Sequence, residues 1–217
     1  MQLEEMKYDL VIVGAGPAGL STAIRLKQLD KKNNTNHSVC IIEKGPEVGA
    51  HILSGALLDP IALNELIPDW KNTDIPVTTE VKSEVFSFLT SNNHLNIPSL
   101  LLPKDTKNEG NYIISLGNMC KWLGKYAESL GVDIFPGFTA KDILFENDIV
   151  KGVITGEKGI NKYEKKTELY EGSIALKARQ TIFAEGCRGH LGKKLIKKFK
   201  LYDKNQFQTY ALGLKEL

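Results

Sequence analysis

The sequence predicts an α/β fold of the Rossmann-like, dinucleotide-binding kind, and three linked observations carry that expectation. An apolar run over residues 8–13 ends in Gly14-Ala15-Gly16-Pro17-Ala18-Gly19. An amphipathic stretch over residues 18–29 follows, with Leu20, Ala23, Ile24 and Leu26 near helical spacing. A second apolar run over residues 38–42 then ends in the carboxylate of Glu43. Strand, glycine turn, helix, strand and acid in that order match the dinucleotide fingerprint, whereas an isolated glycine triplet is weak evidence. In that fingerprint Gly14 permits the tight turn, Gly16 lets backbone approach a diphosphate, and Gly19 lets the helix pack closely on the strand. Unpaired N–H groups at the helix start then face the anion. Glu43 is placed to accept hydrogen bonds from ribose hydroxyls and disfavours a ribose 2′-phosphate, a repulsion that the adjacent Lys44 softens if it is not simply solvated.

Composition sets the bounds. The 217 residues allow one large domain or two small ones, and 42% hydrophobic residues suffice for a sizeable core. A net charge of +2 gives no global electrostatic case for nucleic acid. Cys40, Cys120 and Cys187 are too widely spaced for a zinc or iron-sulfur run and read as reduced thiols. No apolar run reaches the roughly 20 residues of a membrane-spanning helix, and with the first strand starting by Tyr8 no cleaved leader is expected.

After Glu43 the chain leaves the simple βαβ succession. Gly49-Ala50-His51 and Leu53-Ser54-Gly55 belong to a small-residue stretch suited to close passage past a flat ligand, and apolar Val48, Ile52 and Leu53 argue against a solvated loop. His51 lacks a second ligand or nucleophile nearby and carries no catalytic assignment. A short helix is expected over residues 59–67 with Asp59 as N-cap, followed by strands at 78–81 and 85–89. Ile97-Pro98-Ser99-Leu100-Leu101-Leu102-Pro103 is either a buried loop or an exposed apolar patch of the kind that marks a membrane or partner contact. A helix over 118–130, closed by Gly131, carries an aromatic stripe read as core, and a strand over 132–135 follows. Residues 142–155 and 172–183 alternate like antiparallel strands around a charged surface excursion at 157–171. The lysine-rich run 193–200 reads first as a helix with a solvated face, and second as a site of attraction to anionic lipid.

A second glycine signature, Phe183-Ala184-Glu185-Gly186, ends the last strand. Two-domain flavoproteins place such an acid-glycine pair at the ribityl-pyrophosphate region, which favours FAD over NAD. With both glycine sites in place, the chain resembles the electron transfer flavoprotein-ubiquinone oxidoreductase family. The resemblance rests on Gly49-Ala50-His51 with Leu53-Ser54-Gly55-Ala56, on Leu63-Asn64-Glu65-Leu66-Ile67-Pro68-Asp69-Trp70, on Gly110-Asn111-Tyr112-Ile113, on Pro136-Gly137-Phe138, and on Phe183-Ala184-Glu185-Gly186-Cys187-Arg188-Gly189-His190-Leu191. Tyr210-Ala211-Leu212-Gly213-Leu214-Lys215-Glu216-Leu217 also looks like the family.

The resemblance implies a glutathione-reductase-like FAD-binding domain carrying part of an inserted α+β, quinone- and membrane-facing domain. The expected division is residues 1–60 and 113–200 for the FAD-binding domain, 61–112 for the inserted region and 201–217 for the start of a further region. Gly14, Ala15, Gly16, Pro17, Ala18, Gly19, Glu43 and Lys44 would then hold the ADP half, Gly49 to Gly55 would pass near the isoalloxazine, and Glu185 and Gly186 would close the pocket. Ile97, Leu100, Leu101, Leu102 and Pro103 fall in the region that in the family faces the membrane, although Lys104, Asp105 and Lys107 make the patch shorter and more charged than expected. The implied activity is electron transfer from reduced electron transfer flavoprotein to ubiquinone, by an enzyme peripheral on the mitochondrial inner membrane or on the cytoplasmic face of the bacterial one. It needs FAD and a 4Fe-4S cluster, whose four cysteine ligands in the family lie beyond residue 217, so the chain is expected to be a fragment or a truncated product without metal ligands. No catalytic acid, base or nucleophile is assigned. A related FAD-dependent reductase or hydroxylase with a nicotinamide donor, and a non-catalytic FAD-binding fragment, remain open.

Overall fold

A computed structural model describes residues 3–52, 55–103, 106–160, 163 and 165–201. The chain divides into two units, one of residues 1–52 with 120–217 and the other of residues 53–119. The first is built on a six-stranded sheet of order β8-β2-β1-β13-β10-β9. Its strands are β1 (Glu4–Val13), β2 (Val39–Glu43), β8 (Asp133–Pro136), β9 (Ala140–Glu146), β10 (Ile149–Thr155) and β13 (Ile174–Phe183). The pairs β8-β2, β2-β1 and β1-β13 are parallel, and β13-β10 and β10-β9 are antiparallel.

The central parallel strands are apolar without alternation because both of their faces are covered. Leu10 to Val13 and Val39 to Ile42 are all buried. Val11, Val13, Cys40 and Ile42 join Ile143, Val153, Leu176 and Leu191 in one core cluster. Leu191 comes from α4 (His190–Phe199), so that helix covers this face. Ile12 and Ile41 alternate with that set and are also fully buried, as are Leu20, Ala23 and Ile24 of α1 (Pro17–Asn33).

The turn from α1 into β2 hangs on Asp30, which is buried at the end of the helix. Its carboxylate accepts the Thr35 hydroxyl at 2.7 Å and the His37 backbone N–H at 2.9 Å, and it lies 2.5 Å from His37 Nδ1. Asn34 closes the helix in the left-handed conformation, and its N–H donates to the Asp30 carbonyl. The sequence marks this turn only by an asparagine and a threonine, because what fixes it is a carboxylate facing back into the loop.

The second unit has a three-stranded antiparallel sheet of β3 (Gly55–Leu58), β7 (Tyr112–Ser115) and β4 (Thr79–Glu80), together with α2 (Ile61–Leu66). Leu63, Ile67, Trp70, Ile75, Val77, Ile114 and Met119 form its buried set among the described residues. Trp70 donates its indole N–H to Asn64 Oδ1 at 2.7 Å and meets Tyr112 edge to face at 5.3 Å. The N-cap of α2 is Pro60 rather than the expected Asp59, which stands one residue before it and accepts the Ile61 N–H at 3.0 Å. A separate hairpin joins β5 (Phe86–Leu89) to β6 (His94–Ile97), and a single 3-10 turn covers Ser99–Leu101.

Four elements depart from the sequence expectation. Gly55–Leu58 is a strand rather than a continuation of a glycine-rich loop, because β7, which has no pattern of its own, supplies its ladder. The charged excursion contains an ordered antiparallel ribbon of β11 (Lys158–Ile160) and β12 (Lys166–Glu171). The alternation at residues 85–89 leads to a strand, yet Phe86 and Phe88 on one face of it are exposed rather than inward. The third helix, α3 (Leu116–Ser129), starts two residues earlier than the sequence suggests, and its buried Leu123 and Ala127 lie on the expected stripe.

Burial by itself would raise the Asp30 pKa, but the His37 amide and ring and the Thr35 hydroxyl overcome it and hold the carboxyl well below its ordinary value. Because the folded state binds this proton less readily than the unfolded chain, Asp30 contributes stability above about pH 4 that is lost as the pH falls further. Asp30→Asn is expected to cost about 1–3 kcal/mol at neutral pH and to flatten the acid limb of a chemical-denaturation series. A variant whose stability still falls as steeply in acid as the parent would remove this role.

Candidate dinucleotide site

The turn between β1 and α1 is determined by two backbone approaches that no side chain could share. Gly14 adopts φ +105°, and a Cβ there would lie 2.5 Å from the Ala184 carbonyl oxygen. A Cβ on Gly19 would lie 2.1 Å from the Gly14 carbonyl oxygen and 3.1 Å from Ile12 Cγ2. Gly16, by contrast, faces open space, with nothing within 4 Å of the position its Cβ would take. The glycines thus divide the labour: two admit the packing of strand, turn and helix, and the third leaves room in front of the turn.

Hydrogen bonds tie this turn to both neighbouring strands. The Gly14 N–H donates to the Ile42 carbonyl at 2.9 Å, and the Ala184 N–H donates to the Val13 carbonyl at 2.8 Å. The glycine turn, the end of β2 and the end of β13 are therefore one locked unit at the carboxyl edge of the parallel strands, where open α/β sheets bind ligands. Helix α1 begins there with Pro17 in the first turn, which removes one unpaired donor. Gly16 is its N-cap, no side chain caps it, and no acidic residue stands in its first turn. Its free N–H groups and positive dipole end remain available to an anion.

Glu43 holds the other side. Its Oε2 accepts the Ala15 N–H at 2.9 Å and its Oε1 accepts the Gly45 N–H at 2.7 Å. One carboxylate thus fixes both the glycine turn and the turn after β2. The Phe138 N–H donates to the Glu43 carbonyl and the Gly137 N–H to the Gly45 carbonyl, which brings the end of β8 to the same place. The negative charge of Glu43 also acts on Cys120, whose thiol is pushed up to about 11, mainly by burial and then by that carboxylate. Burial likewise pushes the Cys40 thiol up to about 12. Both thiols are buried and Cys187 is exposed.

The remaining sequence candidates fall into distinct settings. Lys44 is exposed. Gly49 has φ +88°, and its carbonyl accepts the Ile52 N–H, so residues 47–52 form consecutive turns with Ala50 and His51 exposed. Val48 approaches the position a Cβ on Gly124 of α3 would take, which accounts for the apolar residue in this stretch. Leu53 and Ser54 lie outside the described residues, and Gly55 starts β3 in the other unit.

Glu185 is engaged elsewhere than expected. Its Oε2 accepts the Gly192 N–H at 2.8 Å and its Oε1 accepts the Leu191 N–H at 3.3 Å, with His190 Nδ1 at 3.3 Å. Both oxygens serve the amino end of α4. Gly189 makes this possible, since a Cβ there would lie 2.4 Å from Glu185 Cβ. The adjacent Gly186 is exposed at φ +77° and has nothing near its Cβ position. An acid a few residues before a lysine-rich helix is the signal that points to capping. The glycine beside it keeps the strand end open next to Gly14.

Of the apolar candidates, Leu100, Leu101 and Pro103 are exposed, Ile97 and Leu102 are half-buried, and Lys104 and Asp105 lie outside the described residues. Sequence reasoning missed the partners of this patch. Phe86, Phe88 and Leu95 share one face of the β5–β6 hairpin with Ile97, and Phe88 is 64% and Leu95 68% exposed. Among the described residues no cluster of His, Cys, Asp or Glu suits a metal ion, and no helix is long and apolar enough to cross a membrane.

Glu43→Gln is expected to lower the affinity for an adenine dinucleotide by about 1–3 kcal/mol, because an amide oxygen can retain only one of the two backbone donors. Equilibrium titration with FAD measures this, and an unchanged affinity would show that the carboxylate does not shape the turn.

Comparison with known proteins agrees with the geometry. Residues 12–69 match the model of the NAD(P)-binding Rossmann-like domain. Among solved structures, a geranylgeranyl bacteriochlorophyll reductase-like protein from Thermoplasma acidophilum superposes with TM-score 0.63 at 23% identity, over 87% of this chain and 42% of that one. A myxobacterial FAD-dependent chondrochloren halogenase gives TM-score 0.58 at 21% identity, over 86% and 39%. These show the fold. The electron transfer flavoprotein-ubiquinone oxidoreductase of Dictyostelium discoideum is 54% identical over 97% of this chain and 34% of its own length. That of Pseudomonas aeruginosa is 50% identical over 100% of this chain and 40% of its own. By sequence, then, the chain is similar over nearly its whole length to electron transfer flavoprotein-ubiquinone oxidoreductases, and it spans between a third and two fifths of the length of these relatives.

Proposed function

We propose that this chain binds FAD as the dinucleotide-binding portion of an enzyme that takes electrons from reduced electron transfer flavoprotein and passes them to ubiquinone. The observation that carries the reading is the junction of Gly14 with Ala184, where the glycine turn and the end of β13 meet with no room for a side chain. A diphosphate seated at the start of α1 is then flanked by Glu43 on one side and by the open strand end at Gly186 on the other.

Gly14, Gly16 and Gly19 give the diphosphate its backbone cradle, Ala15 and Glu43 hold that cradle in shape, and the exposed turns of Gly49 to Ile52 line its approach. When bound, FAD supplies the redox chemistry, accepting and releasing electrons at its isoalloxazine ring. The protein binds and orients the cofactor and needs no acid, base or nucleophile for electron transfer. The relatives' names supply the donor and acceptor; the 4Fe-4S cluster that the resemblance implies has no ligand set among the described residues.

The exposed apolar face of Phe86, Phe88 and Leu95, with Leu100 and Leu101 beyond it, supports peripheral contact with the inner membrane that holds the quinone. Two bare strands are marginal in water, and a contiguous exposed patch of large apolar side chains marks a surface meant to be covered. Lipid is the cover that suits a quinone-reducing enzyme.

Two experiments test the reading. The purified chain is expected to bind FAD with one site per chain, and the bound flavin is expected to bleach with reduced electron transfer flavoprotein and not with NADH. Rapid bleaching by NADH would transfer the reading to a nicotinamide-dependent flavoprotein, and failure to bind FAD would remove it. Separately, the combined change Phe88→Ser, Leu95→Ser and Leu100→Ser is expected to weaken partition into lipid vesicles by about tenfold or more with FAD content unchanged. Equal partition would exclude the hairpin as the membrane contact.

A further inference from the structure

Helix α4 carries more positive charge than its packing explains. Leu191 is fully buried and Leu195 packs against the same core cluster, which is all the sheet requires of the helix. The lysines divide by helical spacing into two stripes. Lys194 and Lys198 reach carboxylates of the sheet unit, Asp142 at 2.8 Å and Asp148 at 2.6 Å, and the Lys198 ammonium also lies over the Phe145 ring at 4.7 Å. Lys193 and Lys197 stand at i and i+4 on the other flank, Lys200 follows them as the left-handed C-cap of the helix, and none of the three has a carboxylate partner among the described residues. Ile196, 40% exposed, sits between them.

This second stripe is unfavourable for the isolated fold. Like charges at i and i+4 repel, and α4 has no acidic residue to offset them. Lys193 moreover lies in the first turn, where the helix dipole disfavours a cation, while the nearby carboxylate of Glu185 is engaged with the Leu191 and Gly192 amides. An outside anion that pairs with the stripe relieves both penalties.

The stripe is also well placed. Glu185 fastens the amino end of α4 directly after Ala184, and Ala184 touches Gly14 of the glycine turn. A molecule seated on α4, a helix about 15 Å long, therefore rests beside the strand end that borders the dinucleotide cradle.

We propose that the Lys193, Lys197 and Lys200 stripe, centred on Ile196, is the docking surface for an acidic redox protein, the electron donor of the proposed function. The proposal rests on that reading. A protein fits better than a bilayer because Asp142, Glu146 and Asp148 are exposed on the neighbouring strand β9 and the turn after it. An anionic membrane would press headgroups against these carboxylates as well as the lysines, whereas a protein can set its own carboxylates opposite the lysines alone. A single half-exposed isoleucine inside a charged stripe suits a small, fast-exchanging redox interface, not insertion into lipid.

The test compares the FAD-loaded chain with its Lys193→Gln, Lys197→Gln, Lys200→Gln variant, using Lys31→Gln, Lys32→Gln on α1 together with Lys125→Gln on α3, all three exposed, as a charge-matched control. Reduced electron transfer flavoprotein is the donor, and flavin bleaching is followed by stopped flow at low and high salt. At low salt the triple variant is expected to associate about tenfold more slowly than parent and control, with the difference shrinking at high salt. FAD content and bleaching by dithionite should be equal in all three. Equal association rates would overturn the docking surface alone. A flavin that dithionite bleaches but the donor does not, in parent and variants alike, would overturn the proposed function and the surface with it. Loss of binding to phosphatidylglycerol vesicles at an unchanged donor rate would assign the stripe to lipid and overturn the protein partner.

Discussion

The contact between the Gly14 backbone and the Ala184 carbonyl is the constraint on which the rest of the first unit depends. β1 lies between β2 and β13, and the turn that leaves it must pass so near the end of β13 that a methyl group at residue 14 would fall 2.5 Å from an oxygen. The same turn accepts α1 at a distance that forbids a side chain at residue 19. Two strand ends and a helix start thus converge on a few peptide groups. Their convergence creates a rim of unpaired N–H donors that a diphosphate can satisfy.

Glu43 and Glu185 show how two acids at equivalent strand ends come to different uses. Glu43 ends β2 and turns back to bind the amides of Ala15 and Gly45, so its charge helps to shape the cradle. Glu185 follows β13 and turns forward to bind the amides that open α4. The difference lies in what comes next in the chain. After Glu43 come the tight turns of residues 45–52, whose amides are within reach. After Glu185 comes Gly189, which admits the carboxylate to a helix terminus. The consequence runs outward: by fastening α4, Glu185 also holds the lysine stripe beside the cradle.

The two surfaces of apparent excess, apolar on the β5–β6 hairpin and basic on α4, follow one logic. In each the residues that serve the core are few, and the surplus faces solvent at a cost, apolar exposure in the first case and uncompensated like charge in the second. Each unit thus carries a surface with more of one chemistry than its own core uses.

Much of this could be read from the residues alone, for physical reasons. The unbroken apolar runs of β1 and β2, the three glycines and the acid at residue 43 report local backbone requirements and burial on both faces, which any sequence displays directly. The α4 lysines likewise reveal their helix by spacing. Other features are invisible until the chain folds, because they depend on partners distant in sequence. β7 makes Gly55–Leu58 a strand, the hairpin puts Phe86, Phe88 and Leu95 on the same face as Ile97, and Gly189 decides that Glu185 caps a helix. A carboxylate's type and position fix what it is able to bind, but only the tertiary structure decides which donors come within 3 Å of it. The sequence by itself therefore determined the cradle and its class of ligand; packing decided which residues hold it in shape and which surfaces remain for partners.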